Sequence, residues 1–359
     1  MVIHAQNIEE VQEHVRSSKR VRAVGGGSKT ALSQGATICM RKLAGIVEYR
    51  SDEYIVTARS GTTIAEVEGV LAEKGQFLPF DPPLSQRGAT LGGTVASGIS
   101  GPGRWRYGGI RDFILSVQLV RGSGDVVCGG AKVVKNAAGF DIPKLVVGSL
   151  GSFGLLTEIT FKVFPQPQDT ITLKCKFRDL ATAVEGLSTI ATGPWELVAL
   201  EFAPPHTLWI RMGGLREVLA EKVKRLSDSL PSNIVTECLT DEQTIWADAK
   251  EFTWMTPGSN VIKIPITPAA IIEIEEFLAA QPSFPARRYS CGGNVLYLGL
   301  PRGQDMNDPF WMSRPGVAVM GEPSGPYFGD RSQNLFLEQI RAVFDPDSKL
   351  AAPCVTPTK

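Results

Sequence analysis

The stretch Gly88–Gly109, GATLGGTVASGISGPGRWRYGG, constrains this chain more than any other. Its glycines are too dense for a helix interior, where each costs about 1 kcal/mol against alanine. It is also too apolar for a disordered linker. Gly92, Gly93 and Gly98 let backbone amides approach a ligand where a Cβ would clash. Thr90, Thr94, Ser97 and Ser100 supply hydroxyls, and Arg104, Arg106 and Arg111 add positive charge. Pro79-Phe80-Asp81-Pro82-Pro83 lies just before it and predicts an extended approach. A turn needs two glycines and this tract has many more, so it reads as a backbone cradle for a large anionic cofactor.

Two other stretches share that character. Val24–Lys29 reads VGGGSK, at the end of the short expected strand Val21-Arg22-Ala23-Val24. A strand entering three glycines and a hydroxyl presents consecutive N–H groups, as an anion-binding nest does. It matches neither the GxxxxGK[ST] phosphate loop nor a GxGxxG opening a helix, and on its own it reads equally as a tight turn. Lys135–Gly154 brings Gly148, Gly151 and Gly154 at intervals of three, beside Ser149 and Ser152. Taken together, the three stretches predict one shared ligand site.

The rest of the composition narrows the chemistry. Formal net charge is +0, which gives no electrostatic case for nucleic acid. The 6 cysteines are scattered without a CxxC pair, which predicts reduced thiols and argues against zinc ribbons or iron–sulfur ligation. The 3 histidines, His4, His14 and His206, form no metal-binding pair and no HExxH. There is no GxSxG elbow. The start of the chain lacks a signal-peptide pattern and no run is long enough to span a bilayer, so a cytoplasmic location is expected.

Periodicity predicts a helix over Ile8–Arg16 with Asn7 as cap, and a helix capped by Thr62 or Thr63 running to about Glu73. Strands are expected at Val21–Val24, Ile38–Met40, Gly45–Arg50, Tyr54–Ala58, Phe113–Val120, Val126–Gly129 and Leu155–Phe164. Pro165-Gln166-Pro167 marks a boundary. Beyond it, strands at 170–177, 196–202, 206–212 and 233–237 enclose helices at 180–190 and 215–230. That order is the ferredoxin-like split motif. It partly recurs in 261–300, with Val317–Met320 as a possible fourth strand, and a last helix spans about 333–343. Trp246, Phe252 and Trp254 read as core, with a docking surface as the rival.

The order of a glycine loop after a strand, ATLGGTVA, then K-N-x-x-G-F-D-x-x-K-L-x-V-G-S-x-G-x-x-G-x-x-T-E, resembles the FAD-binding domain of the vanillyl-alcohol oxidase/PCMH superfamily. More narrowly, SGPGRWRYGGIRD resembles the family of FAD-binding E subunits of bacterial glycolate oxidases. The match is good from about Val21 to Pro165, and Phe344-Asp345-Pro346 matches the family's F-D-P near the end. The N-P-G that usually follows is replaced by Lys349-Leu350-Ala351-Ala352-Pro353.

The resemblance implies an α+β protein. A PCMH-type FAD-binding domain of two α/β subdomains would span 1–166, and a ferredoxin-like α+β cap domain 167–330. A C-terminal helix and tail, 331–359, would return to the FAD domain. It implies that Gly25, Gly26, Gly27, Ser28 and Lys29 hold the FAD pyrophosphate. Pro82, Thr90, Leu91, Gly92, Gly93, Ala96, Ser97 and Gly98 would line the second FAD stretch. Gly154 would shape the closing turn with Gly148 and Gly151, and Ile159 would lie near the adenine half. Covalent attachment in the superfamily uses a His in the first loop and, in some members, a Cys in the second; neither occurs here, so the FAD is expected to be noncovalent. The His-rich metal motif of the related 2-hydroxy-acid dehydrogenases is missing as well.

The expected function is therefore the FAD-binding subunit of a glycolate (2-hydroxy acid) oxidase complex. Its partners would be a larger FAD-binding catalytic subunit and an iron–sulfur subunit, through which the chain would sit peripheral to the inner membrane. A self-sufficient FAD-dependent oxidoreductase and a non-catalytic scaffold remain alternatives. Arg104, Arg106 and Tyr107 are candidates to hold a substrate carboxylate, with solvent exposure or phosphate contact as the plainer reading of the arginines.

Overall fold

The computed structural model describes residues 2–131, 140–304, 306, 308–330 and 335–350. The K-N-A-A-G part of the third glycine stretch, the expected helix start at Gln333, and Cys354 lie outside these residues.

Asn7 accepts a hydrogen bond from the Glu10 amide at 2.9 Å and opens the helix Ile8–Ser17. Val11 and Val15 on its buried face pack on a small parallel sheet ordered Ile3–His4, Ile38–Cys39, Ala23–Val24. The last of these strands runs straight into Gly25. Thr63, not Thr62, caps the second helix, Ile64–Ala72: its hydroxyl takes the Glu66 amide and Glu66 returns to the Thr63 amide. A five-stranded antiparallel sheet follows the order Ile46–Arg50, Ile55–Arg59, Leu155–Lys162, Ile114–Val120, Val126–Gly130. Two expected strands are shorter than their apolar runs. Phe113 closes a short helix, Ile110–Phe113, and Phe164–Pro165 leaves the sheet to pair with Gln76–Phe77.

The central tract corrects the expectation drawn from its composition. Leu91–Ser97 is a helix, capped by Thr90 and ended by Gly98 at φ +65°. Tertiary contact outweighs the local cost of glycine there. The Gly92 amide donates to the Ser60 carbonyl at 2.8 Å. A Cβ on Gly92 would stand 2.8 Å from Ser60 Cβ and 3.0 Å from its carbonyl oxygen. So Gly92 is there to seat a helix against the end of a strand. The proline stretch before it is not uniformly extended either, since Asp81 and Leu84 hold φ of +51° and +65°.

The second half forms one nine-stranded antiparallel sheet. Its order is Val235–Cys238, Asp169–Lys176, Thr207–Gly214, Leu197–Ala203, Ala286–Ser290, Val295–Leu300, Asn260–Pro265, Gly316–Met320, Tyr327–Phe328. The first four are one ferredoxin-like unit in 4-1-3-2 order, and the next four are a second unit in mirror order, so the weak run Val317–Met320 does complete the duplication. The units meet through their second strands, where Phe202 pairs with Tyr289. Helices Leu180–Thr192, Arg216–Ser229 and Ile271–Ala279 cover one apolar face, with Leu200, Ile210, Ile264 and Leu298 beneath them.

The opposite face turns toward the first unit, where Tyr297 and Val261 share a core with Phe80 and Val95. The helix Glu242–Glu251, not anticipated from the sequence, lies on this side. Trp246 and Phe252 are buried, as core residues should be.

The last described residues return to the first unit. Val21 bridges Leu350 in parallel and donates from its amide to the Lys349 carbonyl at 2.7 Å. The buried Asp345 carboxylate accepts the Lys349 and Leu350 amides at 2.9 and 2.8 Å.

Candidate functional site: a cleft built by three glycine segments

The first unit carries a cleft of about 930 Å³, counting space open to solvent, and all three glycine stretches line it. Gly25, Gly26, Gly27, Ser28 and Lys29 form one wall. Thr90, Gly92, Gly93, Ala96 and Ser97, on the exposed side of the short helix, form the second, and Ser149, Leu150, Gly151 and Gly154 the third. The walls are close because the glycines let them be. A Cβ on Gly25 would fall on the Thr90 hydroxyl, and one on Gly26 on the Gly88 carbonyl oxygen. Gly27 takes φ +71° with open space where its side chain would be.

Four of the expected cofactor residues stand apart from this cleft. Leu91 and Ile159 are buried in the hydrophobic core of the first unit. Gly98 packs on Gly148, 3.0 Å from where its Cβ would point, and Pro82 sits in the buried turn before the tract. The cleft also gathers residues not singled out in the sequence: Val21–Val24, Met40, Ser60, Leu155 and Leu156. Ser60 carried a signal, a small polar residue at the end of the strand Ile55–Arg59.

The polar groups of the cleft suit an anionic, hydrogen-bonding ligand. Lys29 is only 6% exposed, and among the described residues its ammonium makes no hydrogen bond or ion pair. Burial pushes it down to about 8, partly offset by the Glu251 carboxylate. Ser60 Oγ is buried without a partner. A buried cation without an ion pair and an unspent hydroxyl in a glycine-walled cleft fit the pyrophosphate and polyol of FAD.

A second cleft, of about 1260 Å³ with its open space, lies between the two halves. Tyr107, Glu68, Asp81, Arg211, Trp246 and Lys250 line it. Its cations are paired: Lys250 with Asp81 at 3.2 Å, and Arg211 with Glu242 at 2.8 Å. Asp81 holds the Lys250 ammonium above its ordinary range against the opposing effect of burial, and burial raises the Glu68 carboxyl. Of the three candidate substrate residues, only Tyr107 lines this cleft. Arg106 pairs with Glu196 at 3.4 Å, whereas Arg104 is exposed and, among the described residues, has no ion pair. Arg104 lies near Lys263, a lone cation in the strand Asn260–Pro265, which burial first and Arg104 second push down to about 8. No cluster of His, Cys, Asp and Glu fit to hold a metal occurs among the described residues.

Residues 1–129 match the family model described as FAD binding domain. The chain is 37% identical over 214 residues to the glycolate oxidase subunit GlcE of Escherichia coli, covering 58% of this chain and 59% of that protein. To the glycolate oxidase subunit GlcD of Bacillus subtilis it is 28% identical over 218 residues, 58% of this chain and 46% of that one. The chain thus matches about half the length of these relatives. Among solved structures, alkyldihydroxyacetonephosphate synthase superposes with a TM-score of 0.72 over 97% of this chain and 76% of its own, at 17% identity. Fold and comparisons agree: residues 1–129 match the FAD binding domain model, and the chain as a whole has the PCMH-type FAD-binding fold of alkyldihydroxyacetonephosphate synthase.

Proposed function

We propose that the chain is a noncovalent FAD-binding subunit of a complex that oxidises glycolate or another 2-hydroxy acid. The observation that carries this is the convergence of three separate glycine segments on one cleft, in a chain similar to GlcE and GlcD. The partners we infer are a larger FAD-binding catalytic subunit and an iron–sulfur subunit, which would hold the chain at the inner membrane. Among the described residues, no helix is long and apolar enough to cross one. We assign 1–166 to FAD binding, 167–330 to the cap and 331–359 to the returning tail.

Bound FAD would supply reversible acceptance of a hydride or of single electrons. The chain's own residues hold and orient it. The amides of Gly25–Ser28 and the Lys29 ammonium would face the pyrophosphate. Thr90, Gly92, Gly93, Ala96 and Ser97 would lie along the next portion, with Gly154 at the closing turn. Ser28 and Lys29 stand where a covalent link would need a histidine, so backbone hydrogen bonds carry the binding, each contributing on the order of 1 kcal/mol net.

Purified alone and supplied with FAD, the chain should show a bound-flavin spectrum. Absence of flavin binding would sink the proposal. Anaerobic mixing with glycolate or D-lactate then separates the roles: a flavin reduced only when the partner subunits are present marks a companion subunit, and one reduced by the chain alone marks a self-sufficient enzyme.

A further inference from the structure

The cap sheet holds a second polar group that neither cleft includes. Arg288 lies opposite Tyr297, and Tyr297 opposite Lys263, so the three share one face. It is the face toward the first unit, since the Tyr297 hydroxyl donates to the Ser100 carbonyl at 3.5 Å. Arg288 is 7% exposed, with its guanidinium carbon 4.5 Å from the Trp209 ring centre and 5.1 Å from that of Trp254. Arg288 Nη1 and both indole Nε1 atoms are buried with no hydrogen-bond partner among the described residues.

An unmade hydrogen bond at a buried donor is costly, and three in one cluster are not what a settled core tolerates. The two carboxylates that act on Arg288, Glu201 and Asp248, do not ion-pair with it. Glu201 instead turns Oε1 to Ser290 Oγ at 2.6 Å and the Cys291 amide at 3.3 Å. All three orphans can only donate, so the missing partner is an acceptor. A buried guanidinium fork selects a planar anion, and the two indole rings against the guanidinium bring their own N–H donors to the same cluster.

We propose that Arg288, Trp209 and Trp254 form a binding site for a small carboxylate. Taking that carboxylate from a 2-hydroxy acid rests on the function proposed above; the site itself does not.

The test uses the full chain with FAD and follows the indole N–H resonances of Trp209 and Trp254, assigned with Trp209→Phe and Trp254→Phe. Titration with glycolate should move both resonances saturably, and the neutral analogue glycolamide at matched ionic strength should not. Arg288→Gln should weaken the response at least about tenfold, roughly 1.4 kcal/mol, and Arg288→Lys should restore part of it. If Arg288→Gln fails to fold, loss of the Trp254 response to glycolate in Trp209→Phe serves instead. Resonances that stay still, that move equally with glycolamide, or that move unchanged in Arg288→Gln would overturn the proposal and leave ordered water as the partner. The readout needs no turnover, so a flavin that glycolate never reduces would fail the oxidase reading without touching this one.

Discussion

Lys29 is the residue on which the cofactor cleft depends most. Its ammonium is buried with no ion pair among the described residues, and burial, only partly offset by the Glu251 carboxylate, pushes it down to about 8 from the ordinary lysine value of 10.5. Because its folded value lies below its unfolded one, the charged form is a burden below pH 8 and is relieved as pH rises toward 10.5. An anionic ligand reverses the sign by raising that value again. FAD affinity should therefore be flat below pH 8 and fall by up to tenfold per unit above it, which fluorescence quenching across pH 7–10 would show. Lys29→Met should bind FAD at least about tenfold more weakly at neutral pH, with that slope abolished. Gly92→Val tests the other principle of the cleft. Its side chain meets Ser60 at 2.8 Å, so we expect loss of about 1–3 kcal/mol of stability together with loss of flavin, read by melting and by absorbance.

Among the elements, the two capped helices of the first unit offer a matched comparison. Thr63→Ala removes the capping box of Ile64–Ala72; the Thr63 backbone bridges Thr90 but its side chain does not line the cleft, so the change should cost about 1 kcal/mol with FAD affinity unchanged. Thr90→Ala removes the cap of Leu91–Ser97 and a wall of the cleft, so stability and affinity should fall together. Calorimetry with a flavin titration on both variants checks this. The same elements show what a sequence discloses. Ile8–Ser17 was legible because Asn7 and the spacing of Val11 and Val15 are local signals. Leu91–Ser97 was not, since the contact that makes glycine favourable comes from Ser60, 32 residues away along the chain. Likewise nothing in the local sequence around Arg288, Lys263 or Ser60 shows what they face; that comes from strand register and tertiary contact.

For the molecule as a whole, the duplicated cap and the glycine segments were legible as patterns, while their meeting places were not. The returning tail is one such place. Asp345 accepts two backbone amides from Lys349 and Leu350, and hydrogen bonds to a buried charge contribute about 1.5–3 kcal/mol each. Asp345→Ala should thus destabilise the protein by about 3 kcal/mol and weaken flavin binding, although Asp345 does not line the cleft. Equilibrium denaturation with and without FAD would measure both effects. An affinity unchanged by the substitution would mean that the tail steadies the fold and leaves the loop alone.

The bridge between Val21 and Leu350 also bears on the order of events during synthesis. The strand that delivers the first glycine loop is tied to residues that leave the ribosome more than three hundred positions later. A nascent chain can pair its early strands and still lack the tether of that loop. Flavin capture should then be a late, post-translational step, and ribosome-bound intermediates ending before Phe344 should emerge colourless.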